Sequence, residues 1–381
     1  MGILIMNIQS FSIVGAAYLN PTAYGDFTGI NKWTWLLSHV FADNKFMTIF
    51  SMLFGAGIVL MSNKIEEAGL KPAALHYRRM FWLLVIGLVH SYLFWFGDIL
   101  TAYAMCGLIV FLFRKLKAGW LFFFGLLTLS VGVGLYLFFG MTIEYWPKEN
   151  LDMSLGFWAP PAEDITAELN AYQGSFRDVF QERFSTSVFM QTMVFLINIS
   201  WHAGGLMLIG MALYKWGILS GAKSKKFYTA GLIVGMGIGF SLVLYGIKQN
   251  FDHNWSFEYS MYIGSQFNYI GSIFISFAYI SLIMLVLRSG ILKWCQGTLS
   301  MIGRTALSNY LLQTLICTTI FYGYGFGIYG KIERWQMIPI VILVWLLQIL
   351  LTRLWMRKYR FGPVEWIWRS LTYWKIQPIK K

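Results

Sequence analysis

The chain has 381 residues, of which 57% are apolar or aromatic and only 12% are charged, and its mean hydropathy is +0.58. A soluble domain carries about twice that charged fraction, so the composition excludes a disordered tail, a coiled coil and an ordinary soluble enzyme. The net charge of +13 would indicate nucleic-acid binding only if the basic residues clustered on one face.

Stretches of roughly 17 to 25 mostly apolar residues predict membrane-spanning helices. Ten such segments are predicted: 2–19, 46–62, 79–96, 98–113, 119–140, 188–213, 228–247, 261–287, 300–322 and 336–356. They predict an all-α polytopic membrane protein in which residues 1–381 form a single integral membrane domain. Of the eight prolines, only Pro339 lies within a segment, in its first turn, where a missing N–H costs little.

The basic residues between these segments lie mainly on one side of the membrane, 22 of the 30 against 8 on the other. The larger group lies in 63–79, 114–118, 214–227, at Arg288, Lys293 and Arg304, and in the stretch from Arg353. Since basic connections stay cytoplasmic, both termini are predicted to be cytoplasmic, in a bacterial inner membrane. Membrane lipid is therefore an expected partner, and nucleic acid is not.

Two connecting regions are predicted to be amphipathic. Residues 141–187 form an acidic extracytoplasmic loop. After Pro160-Pro161 it carries apolar residues at helical spacing: Ile165, Leu169, Tyr172, Phe176, Val179 or Phe180, and Phe184. This helix is expected to cover part of the bundle, or else to lie in the lipid interface without a role in chemistry. Residues 357–381 form a cytoplasmic amphipathic segment in which Glu365 and Arg369 are predicted to pair.

Ionisable groups inside a bilayer are costly and indicate functional sites. His90, in the third segment, is predicted to be a general base facing an outward-opening cavity, and the alternative is a core imidazole bonded to a neighbouring helix. Asp98 is predicted to orient the acceptor, or else to cap a helix. On one straight helix these two residues would lie roughly 12 Å apart, which excludes a direct pair.

Further polar positions are predicted to line the substrate path. Asn198 and His202 are four residues apart and share a helix face. Ser265, Tyr269, Ser272 and Ser276 form a stripe on the eighth segment, beside Gln266 and Asn268. The alternative for the stripe is hydrogen bonding between helices. Asn7, Asn309 and Gln313 are assigned to the same lining.

The cytoplasmic side offers a predicted phosphate site. Arg304 precedes the polar stretch of the ninth segment at a helix N-terminus, where free backbone N–H groups and a guanidinium together hold a phosphate. Arg78 and Arg79 are assigned to the same site. The alternative for Arg304 is an anchor on the cytoplasmic side. The three cysteines have no metal or redox spacing, so no metal and no disulfide is predicted.

Long blocks of the chain resemble the YeiB-like family of uncharacterised bacterial membrane proteins. The blocks are MGILIMNIQSFS (1–12), KFMTIFSMLFGAGI (45–58), the stretch from HYRRMFW to AMCGLI (76–109), GRTALSNYLLQTLIC (303–317) and RFGPVEWIWRSLTY (360–373). The family usually has a basic Leu-Asp-x-Leu-Arg-Gly-Phe stretch before the Gly-Ile-Leu block, and that stretch lies outside this sequence. The family is in turn distantly similar to transmembrane acyltransferases, which implies a bundle of that kind by fold-level analogy.

The leading functional hypothesis is an acyltransferase that takes an acyl group from cytoplasmic acyl-CoA to a hydroxyl or amine at the extracytoplasmic side. Its acceptor would be a small molecule, a lipid or a glycan. His90 and Asp98 would be catalytic, and Arg304, Arg79 and Arg78 would bind the CoA phosphates. The alternatives are an inner-membrane transporter or exporter of a small solute, and an accessory subunit. The sequence leaves open whether the chain forms a homo-oligomer.

Overall fold

The computed structural model describes all 381 residues and is helical apart from turns and one isolated bridge between Tyr359 and Lys380. The first half contains α1 Leu4–Ser12, α2 Ala16–Leu19, α3 Gly29–Phe41, α4 Lys45–Glu67, α5 Pro72–Leu93, α6 Leu100–Val110, α7 Ala118–Thr142, α8 Lys148–Trp158, α9 Ala162–Gln173 and α10 Phe176–Phe189. The second half contains α11 Ser200–Lys215, α12 Lys225–Asp252, α13 Phe257–Tyr259, α14 Ser265–Ser289, α15 Lys293–Arg304, α16 Ala306–Phe321, α17 Arg334–Lys358 and α18 Pro363–Tyr373. Wider π-helical turns, Met190–Ile199 and Ser260–Gly264, join α10 to α11 and α13 to α14.

The prediction of an all-helical polytopic membrane protein is confirmed. Six helical runs are long and apolar enough to cross a bilayer: Gly29–Glu67, Ala118–Tyr145, Phe176–Lys215, Lys225–Asp252, Phe257–Ser289 and Arg334–Lys358. Leu100–Phe113 and Ala306–Phe321 are apolar but shorter. The count of ten spans therefore stays a prediction.

Two of the predicted segments are not continuous helices. Segment 2–19 breaks at Ile13, which is extended, because the N–H of Gly15 donates to the Glu168 carboxylate at 2.9 Å instead of continuing the helix. Segment 300–322 breaks at Thr305, between α15 and α16. The first break comes from a contact with a distant part of the chain, and the second comes from local backbone geometry. Hydropathy reports neither.

Connections that the charge bias assigns to the cytoplasm lie together at one end of the bundle, which we name the basic end. There Lys215 Nζ donates to the Leu116 carbonyl oxygen at 2.7 Å. The indole N–H of Trp368, on α18, donates to the Arg79 carbonyl oxygen at 2.9 Å. Residues far apart in sequence are thus brought to the same end, as the topology requires.

The remaining connections meet at the opposite end, which we name the acidic end. Asn20 donates to the Trp158 carbonyl oxygen at 3.2 Å, and the Trp158 indole donates to the Trp255 carbonyl oxygen at 2.9 Å. The predicted amphipathic helix is two helices, α9 and α10, separated at Gly174 and Ser175. The Ser175 side chain caps α10 through a reciprocal pair of hydrogen bonds with Asp178, which explains the break.

The apolar residues of α9 and α10 enter the largest core cluster. Tyr172 and Val179 are 2% and 0% exposed and pack with residues of α1, α16 and α17. These helices therefore pack into the bundle and do not simply rest on its surface.

Helices α4 and α11 are locked together by two glycines. A Cβ on Gly55 would lie 1.9 Å from the Met207 carbonyl oxygen, and one on Gly210 would lie 1.9 Å from the Met52 carbonyl oxygen. Both helices end at the basic end, so the two similar Met-x-x-Gly stretches cross as parallel neighbours. Small residues at such crossings let helix backbones approach closely.

Candidate functional site

The corner between α5 and α6 carries the predicted site. α5 ends at Leu93, because the next two backbone N–H groups both donate to the His90 carbonyl oxygen, at 2.9 and 3.0 Å. Asp98 precedes α6, and its Oδ2 accepts a hydrogen bond from the Thr101 backbone N–H at 2.8 Å. The carboxylate thus satisfies one of the free N–H groups in the first turn of α6.

The same corner brings Asp98 into contact with His90. His90 Nδ1 lies 2.7 Å from Asp98 Oδ1, and the two side chains are 2% and 1% exposed. The prediction that these residues cannot form a direct pair is wrong. It assumed one straight helix, whereas α5 ends at Leu93 and the chain folds back.

A hydroxyl lies on the other side of the imidazole. His90 Nε2 is 2.9 Å from Thr314 Oγ1, midway along α16. Carboxylate, imidazole and hydroxyl therefore form one hydrogen-bonded chain drawn from α5, the corner and α16. In such a chain the carboxylate fixes the tautomer and orientation of the ring, and the second nitrogen exchanges a proton with a hydroxyl. Nothing in the sequence around Thr314 indicates that this side chain faces α5.

Gly87 allows the corner to lie against α5. A Cβ at this position would be 2.5 Å from the Thr101 backbone nitrogen and 3.0 Å from Asp98 Oδ2. Real Cβ atoms do not approach backbone that closely, so any larger residue would push the start of α6 and its carboxylate away from His90. The Gly at position 87 is therefore part of the geometry of the pair.

The walls around the pair are aromatic. The Tyr310 ring lies 5.1 Å from the His90 ring, and Trp95 stacks on Phe11 at 4.1 Å. Trp95 Nε1 and Thr101 Oγ1 are buried and have no hydrogen-bond partner. Buried donors are usually paired, and these two groups are exceptions.

Among the cavities of the structure, two lie at opposite ends of the bundle, and His90 lines neither of these two. One, of about 160 Å³ at the acidic end, is bordered by Asp26, Glu333 and Arg334. The other, of about 270 Å³ at the basic end, is bordered by Arg114 and Lys215. His90 itself is only 2% exposed, so the packed corner closes it off from solvent.

The predicted polar stripe lies on α14 and packs against the chain between α3 and α4. Ser272 donates to the Asp43 carbonyl oxygen at 3.3 Å, and Ser276 donates to the Lys45 carbonyl oxygen at 2.8 Å. Ser265 donates within its own helical run, to a carbonyl one turn earlier. These bonds are of the interhelical and intrahelical kind, as the alternative for the stripe proposed.

Next to the stripe lies a charged cluster that the sequence analysis missed. Lys45 is fully buried, and its Nζ donates to the His39 carbonyl oxygen at 2.8 Å and to Asn268 Oδ1 at 2.6 Å. The Asp43 carboxylate accepts from Asn268 Nδ2 at 2.8 Å and lies 3.0 Å from His39 Nδ1. Sequence counting treated Lys45 as an ordinary loop base, and its place beside Asn268, more than 200 residues away, was the missing information.

The other predicted lining residues contact different helices. Asn198 donates to the Tyr136 hydroxyl at 2.9 Å, whereas the His202 ring packs on the Tyr269 ring at 4.6 Å. Asn7 is half-buried on α1. None of these contacts joins the residues to His90, so their substrate-lining role stays a prediction.

Asn309 and Gln313 join α16 to α17. Asn309 Nδ2 donates to Thr352 Oγ1 at 3.2 Å, and Gln313 Nε2 donates to Gln348 Oε1 at 2.9 Å. Gln348 in turn donates to the Asn309 carbonyl oxygen at 2.7 Å. This network holds in place the helix that presents Thr314.

The N-terminus of α16, predicted to hold a phosphate, is occupied by a carboxylate of the chain itself. Glu365 Oε1 accepts from the backbone N–H groups of Leu307 and Ser308, at 2.7 and 3.1 Å. Arg304 is the last residue of α15, is exposed and makes no hydrogen bond. A phosphate at this helix end would have to displace Glu365.

Of the remaining predicted arginines, only Arg79 contacts α18. The Arg79 guanidinium lies 4.5 Å from the Trp368 ring, and Arg78 Nε donates to a carbonyl of its own helix at 3.3 Å. The predicted ion pair between Glu365 and Arg369 is wrong, because Glu365 is bonded to α16 and Arg369 packs over the Phe361 ring at 4.5 Å.

Comparison with known proteins places this chain in a family. The family model "Protein of unknown function (DUF418)" matches residues 213–375. The uncharacterised protein YeiB of Escherichia coli is 33% identical over 388 aligned residues, covering 98% of this chain and 93% of that protein. The chain belongs to the YeiB-like family. YxaH of Bacillus subtilis, also uncharacterised, is a further relative at 31% identity over 100% of this chain and 93% of its own. No solved structure matches.

The alignments with YeiB and YxaH extend over almost the entire chain and therefore include the corner between α5 and α6. No group of three or more His, Cys, Asp and Glu side chains is arranged to hold a metal ion.

Proposed function

We propose that this protein is an inner-membrane acyltransferase that transfers an acyl group from acyl-CoA to a hydroxyl or amine of a small molecule, lipid or glycan at the extracytoplasmic side. One observation carries the proposal. His90 holds a buried aspartate on one ring nitrogen and faces a hydroxyl on the other.

The chemistry needs a base that removes one proton and returns it. The oxygen or nitrogen of the acceptor attacks the thioester carbonyl carbon, and His90 Nε2 takes the proton that the acceptor loses. The carbon–sulfur bond then breaks, and the leaving CoA sulfur takes the proton from the imidazolium. Asp98 stabilises that imidazolium and holds Nδ1 in its protonated form. In this scheme the acceptor takes the position of the Thr314 hydroxyl.

The surroundings supply two further elements of an acyl-transfer site. Trp95 Nε1, a buried donor without a partner, is available to the acyl oxygen as it gains charge. The aromatic walls exclude water, which would otherwise compete with the acceptor for the thioester. Access to the site would require the corner to open.

The direct test is label transfer from radiolabelled acetyl-CoA by the purified full-length protein in lipid nanodiscs, with membrane lipids and periplasmic glycans as acceptors. His90→Gln should abolish transfer. His253→Gln is the control, because His253 is exposed and bonds the backbone of its own helix. Equal label transfer by wild type and His90→Gln would contradict the catalytic role.

A second function, export of a small polar solute, is favoured by one observation. The helical run from α3 to α4 is interrupted at Asn44, whose φ is +61°, next to the fully buried Lys45. Interrupted helices with buried charges line substrate sites in transporters. In that case the thiol reactivity of Ser265→Cys and Ser272→Cys should change when the solute is added, and unchanged reactivity together with acyl-CoA binding would argue against transport.

A further inference from the structure

The cavity at the basic end has the composition of an anion site. It has a volume of about 270 Å³, and only one of its seven lining residues is apolar. The lining residues are Val59, Ser62, Asn63, Glu66, Arg114, Lys115 and Lys215. Three cations therefore face one carboxylate, so that the cavity carries a net positive charge.

Arg114 is held in place by stacking. Its guanidinium lies 3.8 Å from the centre of the Phe111 ring, and Phe111 stacks on the buried His76 ring at 4.1 Å. Such cation–π contacts fix a guanidinium that would otherwise be mobile. Arg114 Nη1 donates to a carbonyl of the preceding turn at 3.2 Å, and Nη2 lies 4.0 Å from Glu66. Its Nε remains without a partner.

Ser62 provides an independent sign of a ligand. It lies on α4, borders the cavity and is only 2% exposed, and its buried Oγ has no hydrogen-bond partner. A buried hydroxyl normally finds one. The charge bias of cytoplasmic loops accounts for exposed lysines, but it does not account for an unpartnered serine bordering the cavity.

Three separate elements build the cavity. Ser62 comes from α4, Arg114 and Lys115 follow α6, and Lys215 ends α11. The glycine crossing at Gly55 sets the distance between α4 and α11. The cavity is thus fixed by the packing of the bundle and does not depend on a flexible loop.

We propose that this cavity binds a phosphate group of a ligand that enters from the basic end. Lys115, Lys215 and Arg114 would contact the phosphate oxygens, and Ser62 would donate its hydroxyl. The volume is slightly below that of a pocket for a whole drug-sized ligand, so it holds the phosphates while the rest of the molecule lies outside. The identity of the ligand rests on the proposed function, under which the phosphates are those of the CoA donor.

Binding of CoA, measured by calorimetry on the full-length protein in phosphatidylcholine nanodiscs at low salt, tests the proposal. Lys115→Gln/Lys215→Gln should bind roughly tenfold more weakly or worse, because charged hydrogen bonds to phosphate are lost. Both lysines are exposed, so this variant does not threaten folding. Lys226→Gln is the control, because Lys226 is an exposed lysine at the same end that does not line the cavity, and it should bind as wild type. Equal binding by wild type and the double-lysine variant overturns the proposal.

Two further arms separate the ligand sources. Competition of CoA binding by pyrophosphate supports the phosphate site. If CoA does not bind in phosphatidylcholine nanodiscs, and phosphatidylglycerol binds to the wild type but not to the double-lysine variant, the assignment to a soluble donor is overturned. Label transfer is measured in parallel. If the wild type transfers label and the double-lysine variant still binds CoA normally, the assignment of the cavity is refuted but the proposed function is not. If the cavity binds phosphate but no label is transferred, the proposed function is refuted but the phosphate site is not.

Discussion

Asp98→Asn is the sharpest perturbation of the candidate site, because it removes a charge and preserves the shape. Asp98 accepts from His90 Nδ1 at 2.7 Å and from the Thr101 N–H at 2.8 Å, through different oxygens. An amide keeps one acceptor oxygen and presents an NH₂ group in place of the other. If the oxygen stays on Thr101, the NH₂ faces His90 Nδ1 and forces the proton of the neutral ring onto Nε2, which can then no longer act as a base.

The expected loss of transfer rate follows from that exchange of tautomers. In a serine-protease triad the corresponding change lowers kcat by about 10⁴, with the geometry intact. General-base catalysis contributes roughly 10² to 10⁴ in rate, so a loss of about 10³ is expected, equivalent to about 4 kcal/mol. The free energy of unfolding should fall by less, about 1 to 3 kcal/mol, because the amide still forms a hydrogen bond within the buried site.

Label transfer and thermal unfolding in the same nanodisc preparation distinguish the two effects. D98N should fold, bind CoA as wild type and transfer label about a thousandfold more slowly. Asp98→Ala, which leaves both donors unpaired, should be clearly less stable than D98N. Wild-type transfer by a folded D98N protein would refute the role of the carboxylate, and an unfolded D98N protein would show that the pair is mainly structural.

Three further predictions concern the packing around the site. Gly87→Ala should lower stability by about 1 to 3 kcal/mol through overpacking against Thr101, whereas Gly134→Ala, whose Cβ meets nothing within 4 Å, should be neutral or slightly stabilising in thermal unfolding. Glu365→Gln should weaken the contact of α18 with α16 by about 1 kcal/mol, seen as faster proteolysis after residue 358, and unchanged cleavage would contradict it. Burial raises the pKa of Glu168 in the folded protein. The contribution of this residue to folding stability is therefore fully present below its pKa in the unfolded chain, roughly 4.3. It is lost as the pH rises through the higher pKa of the folded state. Glu168→Gln should therefore gain stability relative to wild type over that range, and parallel pH profiles would refute this.

Hydropathy and charge were sufficient to predict the class of fold. The lipid requires every backbone group to bond within its own helix, so apolar length reports spanning helices with little dependence on tertiary contacts. Breaks such as the one at Ile13 were not predictable in this way. That break depends on a bond from Gly15 to Glu168, which lies 153 residues away.

The site was predictable as a list of residues but not as a geometry. His90 and Asp98 were identifiable because ionisable groups are rare in apolar segments. Their contact required the helix to end at Leu93, and local sequence does not report that end clearly. Thr314 and Lys45 were missed for a related reason, since a threonine in an apolar helix and a lysine before one are both common, and only their partners distinguish them.

The five histidines of the chain show why His90 is the one suited to acid–base chemistry. His253 is exposed and bonds the backbone of its own helix, and His39 lies partly exposed beside an aspartate. His76 is buried with its Nε2 on a backbone carbonyl, and His202 is buried with its Nε2 unpaired. His90 alone is buried with a carboxylate on one nitrogen and a side-chain hydroxyl on the other. A core imidazole needs partners only to satisfy its hydrogen bonds, which a backbone carbonyl does at lower electrostatic cost. A buried carboxylate in that position costs desolvation energy. Besides capping α6, it would stabilise the imidazolium that the proposed reaction forms.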